Sequence, residues 1–128
     1  MKRSSWAQQL GHSQETWDAA RAEAREAILA AAGQRAFLTY SELAAAITAI
    51  PVTPHSPVLW HLLGEILEAE WDDTGLALTA LVIHKGDPYM PGGGFFTMMR
   101  ERAEFTDKYE FWISQVTALF ERYGKKAS

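Results

Sequence analysis

Apolar positions recur at helical spacing along three long stretches of the chain. Trp17, Ala20, Ala24, Ala27, Ile28 and Ala31 fall on one stripe, with Arg21, Glu23, Arg25 and Glu26 on the other faces. Three-to-four spacing of this kind marks an amphipathic helix. Ser13 offers an N-cap and Gly33 stands where a C-cap glycine belongs, which predicts a helix over about 14–32. Ahead of it, residues 4–10 predict a helical turn or two stopped by Gly11. Val58, Leu59, Leu62, Leu63, Ile66 and Leu67 form a second stripe, leaving His61, Glu65, Glu68 and Asp72 outside. Ser56 followed by Pro57 is an N-cap with a first-turn proline, so this helix opens there and closes near Trp71. A third stripe, Tyr109, Trp112, Ile113, Val116, Leu119, Phe120 and Tyr123, predicts a C-terminal helix ended by Gly124, with Lys125 and Lys126 at the negative end of its dipole.

Between these stripes the period changes. Residues 36–40 are short, apolar and aromatic and predict a brief strand, after which Ser41 can cap a helix through Ile47 that must end before Pro51. Three of the five prolines lie in 51–57, a loop by composition. Residues 76–83 are an apolar run of strand length, and 84–94 are rich in glycine and proline. Phe95-Phe96-Thr97 is then expected to return as a second strand, making a ribbon. The resulting architecture is mostly α with a small β ribbon: a winged helix-turn-helix with an additional long C-terminal helix. Its parts are an N-terminal arm (1–13), a winged-helix domain (14–100) and a C-terminal helix (101–128) packed on the same core.

Composition narrows the function classes. At 128 residues the chain fits one domain, and the absence of cysteine excludes disulfides, cysteine zinc sites and thiol chemistry. Twelve basic side chains face sixteen acidic ones, a formal net charge of −4, so a strongly basic nucleic-acid binder is not indicated. The acidity sits in the middle: residues 41–87 carry one basic side chain, Lys85, and seven acidic ones. No apolar run approaches the roughly 20 residues that span a bilayer. Met1-Lys2-Arg3 leads into Ser4, Ser5 and Trp6 rather than an apolar signal core. A cytoplasmic protein with no membrane partner is expected.

The order helix, short strand, helix, helix, strand, loop, strand is that of winged-helix domains, whose third helix can enter the major groove. More narrowly, Thr39-Tyr40-Ser41-Glu42-Leu43-Ala44 resembles the Thr-Tyr-Gly-x-(Ile/Leu)-Ala segment of DNA alkyltransferases and alkyltransferase-like proteins. Leu81-Val82-Ile83-His84-Lys85-Gly86-Asp87 and Pro91-Gly92-Gly93 resemble their active-site strand and glycine-rich wing. The resemblance covers about residues 36–100. It implies a nucleic-acid-associated fold, and Tyr40 carries over. The active-site cysteine of the alkyltransferases has no counterpart, which excludes alkyl transfer to a thiol. The arginine that alkyltransferase-like proteins place near the start of the recognition helix is also missing from Ser56-Pro57-Val58-Leu59-Trp60-His61, where Trp60 is the conceivable wedge. The chain also resembles small uncharacterised bacterial winged-helix proteins that share a Pro-Gly-x-Gly-Phe-like segment.

Candidate chemistry is sparse. His61 and Glu65 stand four apart with Glu68 a turn further, a spacing that could surround a cation, but a solvated helix face explains it better. His84 and Asp87 could act as acid and orienter, yet Asp87-Pro88 is ordinary turn chemistry. Gly92-Gly93-Gly94 could form a phosphate nest, though it matches no nucleotide fingerprint. Trp17, Trp71 and Trp112 read as core, whereas an exposed Trp60 or Trp6 would mark a contact surface.

These observations lead first to a non-enzymatic winged-helix module associated with nucleic acid, a small regulatory or mobile-element protein with duplex DNA as partner. Its contacts would be Tyr40, Ser56, Trp60, His61, His84, Lys85, Tyr89, Gly93, Arg100 and Arg102. Against it, residues 55–73 hold five acids and no Lys or Arg, which would repel phosphate. The alternative is a protein-interaction module using the acidic third helix and exposed aromatics. A hydrolase built on His61 and His84 is a third reading. None of these calls for a cofactor or a metal.

Overall fold

The computed structural model describes residues 5–86 and 89–125, without the side chains of Ser5 and Trp6. Residues 1–4, the Asp87-Pro88 turn and Lys126 lie outside it, as does the exposure of Trp6. Among the described residues, six α-helices and two short strands follow in order: α1 (Ser5–Gln9), α2 (Gln14–Gly33), β1 (Leu38–Thr39), α3 (Tyr40–Ala46), α4 (Pro57–Thr74), β2 (Val82–Ile83), α5 (Gly93–Arg100) and α6 (Lys108–Tyr123). A 3-10 turn, Leu78–Leu81, leads into β2. The chain is thus mostly helical with a small two-stranded sheet.

The helix starts are chemically explicit. Ser13 accepts from Thr16 N at the head of α2, Ser56 accepts from Val58 N with Pro57 in the first turn of α4, and Asp107 accepts from Tyr109 N and Glu110 N at α6. Each satisfies backbone donors that a helix start leaves without partners. Three boundaries differ from expectation. Thr39, not Ser41, caps α3, because Glu42 reaches back to the Thr39 N–H and completes a capping box. Gly33 is the last residue of α2 rather than its cap, and Arg35 takes the left-handed conformation at φ 53°. Helix α4 outruns Trp71 by three residues, to Thr74, where Gly75 at φ 73° supplies a left-handed end.

Helices α2, α4 and α6 enclose the core around the 3-10 turn. Trp17, Ile28, Leu43, Leu59, Leu62, Ile66, Leu67, Leu78, Leu81 and Leu119 are fully buried. Each such aliphatic side chain contributes about 1.5–3 kcal/mol of burial. Helix α6 also pins the turn through polar contacts. The Trp112 indole donates to Ala80 O at 2.7 Å, and the Gln115 side chain accepts from Ala77 N at 2.8 Å. The α6 stripe is narrower than its apolar residues suggest: Trp112, Val116 and Leu119 are buried while Tyr109 and Ile113 are exposed.

The ribbon expected from 76–83 and 95–97 does not form. Of the first segment only Val82–Ile83 is strand, and it pairs in parallel with Leu38–Thr39. Residues 95–97 belong to α5. Helix wins there because it puts Phe95, Phe96 and Met99 together in the core, whereas a strand would turn one of the adjacent phenylalanines to the opposite face. The first segment is buried without interruption from Ala77 to Ile83, and a continuous apolar run does not by itself distinguish strand from helical turn.

Candidate functional site

A cavity of about 270 Å³ opens where three helices begin. Tyr40 is the first residue of α3, Ser56 caps α4, and Gly92 caps α5. All three line the cavity, together with Leu59, Trp60, Leu63 and Leu67 of α4, Phe95 and Met98 of α5, Thr79, and the loop residues Pro54, His55 and His84. The lining is mainly apolar and, among the described residues, contains no Lys, Arg, Asp or Glu.

The glycine run is the hinge of this arrangement. The Gly92 N–H donates to the Tyr40 hydroxyl at 3.0 Å. The Tyr40 ring lies 4.8 Å from that of His84. A Cβ at Gly92 would come within 2.8 Å of His84 Nε2, and one at Gly94 within 2.6 Å of Trp60 Nε1. Glycine at these two positions therefore lets an imidazole and an indole lie directly against the backbone that opens α5. Burial pushes the Tyr40 phenol pKa up, partly offset by the bond from Gly92.

Trp60 remains 53% exposed and packs edge-on against His61. Burial lowers the His61 pKa, and the Glu65 carboxylate opposes that shift. The opening of α5 has no side-chain cap and no acidic residue in its first turn.

Of the expected contact residues, the cavity gathers Tyr40, Ser56, Trp60, His84 and Gly93. His61, Lys85, Tyr89, Arg100 and Arg102 are not among the residues that line it, so this cavity does not bring His61 to His84. Lys85 and Tyr89 are exposed. Arg100 and Arg102 are held by the protein itself. Arg100 donates to Phe105 O and stacks over the Phe105 ring. Arg102 donates to Met98 O and lies 4.0 Å from Glu68 and 3.9 Å from Glu101. Glu65 turns inward, accepting from the Trp17 indole and pairing with Arg21, and no metal-binding group of three is present among the described residues. Gly92-Gly93-Gly94 starts a helix rather than forming a loop nest. Sequence reasoning passed over Thr79, Leu63 and Met98, which come from segments far apart in the chain, and over His55, read only as loop.

No known protein family, curated protein or solved structure matches the chain. The likeness of 36–100 to alkyltransferases therefore rests on the quoted segments alone. No helix among the described residues is long and apolar enough to cross a membrane.

Proposed function

We propose that the protein is a non-catalytic binding module whose ligand is a small, flat, apolar molecule held in the cavity at the head of α3, α4 and α5. One observation carries this reading: an apolar, largely preformed cavity with a few convergent polar groups is the usual form of a small-molecule site. Its size sets the ligand. A dry cavity of roughly 150 Å³ accepts benzene, so one of about 270 Å³ suits one to two fused rings. The exposed Trp60 indole over Gly94 supplies an aromatic face beside the opening.

Indole serves as the probe. A ligand that binds only the folded state at roughly 100 times its Kd stabilises it by about 2.7 kcal/mol, which raises the melting temperature by several degrees. Leu63→Phe, which fills the cavity, is expected to fold and to lose that rise. No rise in the parent protein with saturating indole refutes the reading.

A second reading, association with duplex DNA through helices α3 and α4, is supported by the disposition of charge along α4. Glu65 and Glu70 pair with Arg21 and Arg25 of α2, and the first two turns of α4 carry no acid. The end that reads bases in such modules is thereby relieved of repulsion. Anisotropy of a labelled duplex at low salt tests it, and absence of binding there removes it.

A further inference from the structure

The cavity's polar groups point to the chemical class of its ligand. Thr79 is 6% exposed and lines the cavity, and its hydroxyl has no hydrogen-bond partner within the described structure. No fully enclosed side-chain polar atom among the described residues lacks a partner. The Thr79 hydroxyl is therefore accessible, and the residue that carries it lines the cavity. The hydroxyl is a nearly buried donor that a ligand in the cavity can satisfy.

Ser56, His55 and His84 at the cavity can both donate and accept, and the other polar groups there are donors. Gly93 and Gly94 are the first two residues of α5, where backbone N–H groups have no intrahelical acceptor, and no side chain caps them. The Tyr40 hydroxyl uses its oxygen to accept from Gly92, leaving its proton to give. Trp60 Nε1 can only donate. Helices α4 and α5 both open here, each with the positive end of its dipole, and among the described residues no carboxylate lines the wall. An acceptor carrying negative charge is the complement of such a set, because hydrogen bonds to an ionised acceptor are roughly twice as strong as neutral ones.

We infer that the ligand is an aromatic monocarboxylate: ring system among Leu59, Leu63 and Met98, carboxylate toward Thr79 and the start of α5. This inference rests on the small-molecule reading above and refines it. Calorimetric titration of the full chain with indole and with indole-3-carboxylate separates the two. Binding of the carboxylate about ten-fold or more tighter than indole is expected. Thr79→Val is expected to remove most of that preference, with a melting temperature no lower than the parent's confirming that the variant folds. Indole binding without preference for the carboxylate, or a preference untouched by Thr79→Val, overturns the inference and leaves the small-molecule reading standing. Binding of neither overturns both.

Discussion

The Trp60 indole lies so close to Gly94 that a Cβ at position 94 would stand 2.6 Å from Nε1. Position 94 thus accepts only glycine while the ring stays in place, although alanine would otherwise favour a helix by roughly 1 kcal/mol. Because Trp60 is half exposed, its ring can swing away at small cost. Gly94→Ala is therefore expected to change stability by less than about 1 kcal/mol, to shift the Trp60 indole N–H resonance, and to weaken indole binding. An unmoved resonance would mean that the close approach is absent in solution.

The Tyr40 hydroxyl fastens the opening of α5 to the first turn of α3 through Gly92 N. Tyr40→Phe deletes that acceptor and keeps the ring on His84. A loss of about 0.5–1.5 kcal/mol in denaturant unfolding is expected. Faster amide exchange at Gly92 and its neighbours should accompany it, with the rest of the chain unchanged.

Glu70 is a buried carboxylate, 2% exposed, and joins three helices. It pairs with Arg25 of α2 at 3.0 Å, accepts from Thr74, and accepts a very short bond from Tyr123 of α6. Burial, and then the bond to Glu70, push the Tyr123 phenol pKa up. Glu70→Ala strands these partners and is expected to cost about 1–3 kcal/mol, since Arg25 is half exposed and regains water. Glu70→Gln, which keeps the shape and an acceptor, should cost less. A Glu70→Gln loss near zero would mean that the charge contributes nothing beyond packing, and equal losses for the two variants would assign the whole effect to the charge.

The capping box of α3 predicts a pH dependence. Bonds from the Thr39 backbone and side chain hold the Glu42 carboxyl below its ordinary value of 4.5. A depressed carboxylate pKa gives stability that is present above that ordinary value and is lost as pH falls through the lowered one. Thr39→Ala is expected to cost about 1 kcal/mol at neutral pH. Glu42→Gln should differ from the parent at pH 7 and converge on it below the depressed pKa, as read by urea unfolding across that range.

The long helices were legible in the chain because their caps and apolar stripes agree: Ser56-Pro57 and the Leu59–Leu67 spacing both require α4 where it lies. The segment 76–97 was not. Its apolar residues are buried in a 3-10 turn and a two-residue strand, for which alternation leaves no signature, and its glycines open a helix instead of a turn. Part of the cavity was foreshadowed by residue type, since Tyr40, Trp60, His84 and Gly93 are unusual side chains or a backbone gap on otherwise regular elements. Thr79 and Met98 are ordinary residues whose role comes only from packing between segments distant in sequence. The charge argument against α4 also changes once partners are known, because Glu65 and Glu70 face α2 and not solvent.

Amide and indole N–H chemical shifts of the isotopically labelled protein, followed through a titration with indole, test the central claim most directly. The cavity reading predicts saturable shifts confined to Trp60, Thr79, His84 and Gly92–Gly94, with α2 and the C-terminal half of α6 undisturbed. Shifts that fail to saturate, or that centre on the exposed α6 residues Tyr109 and Ile113 instead, would contradict it.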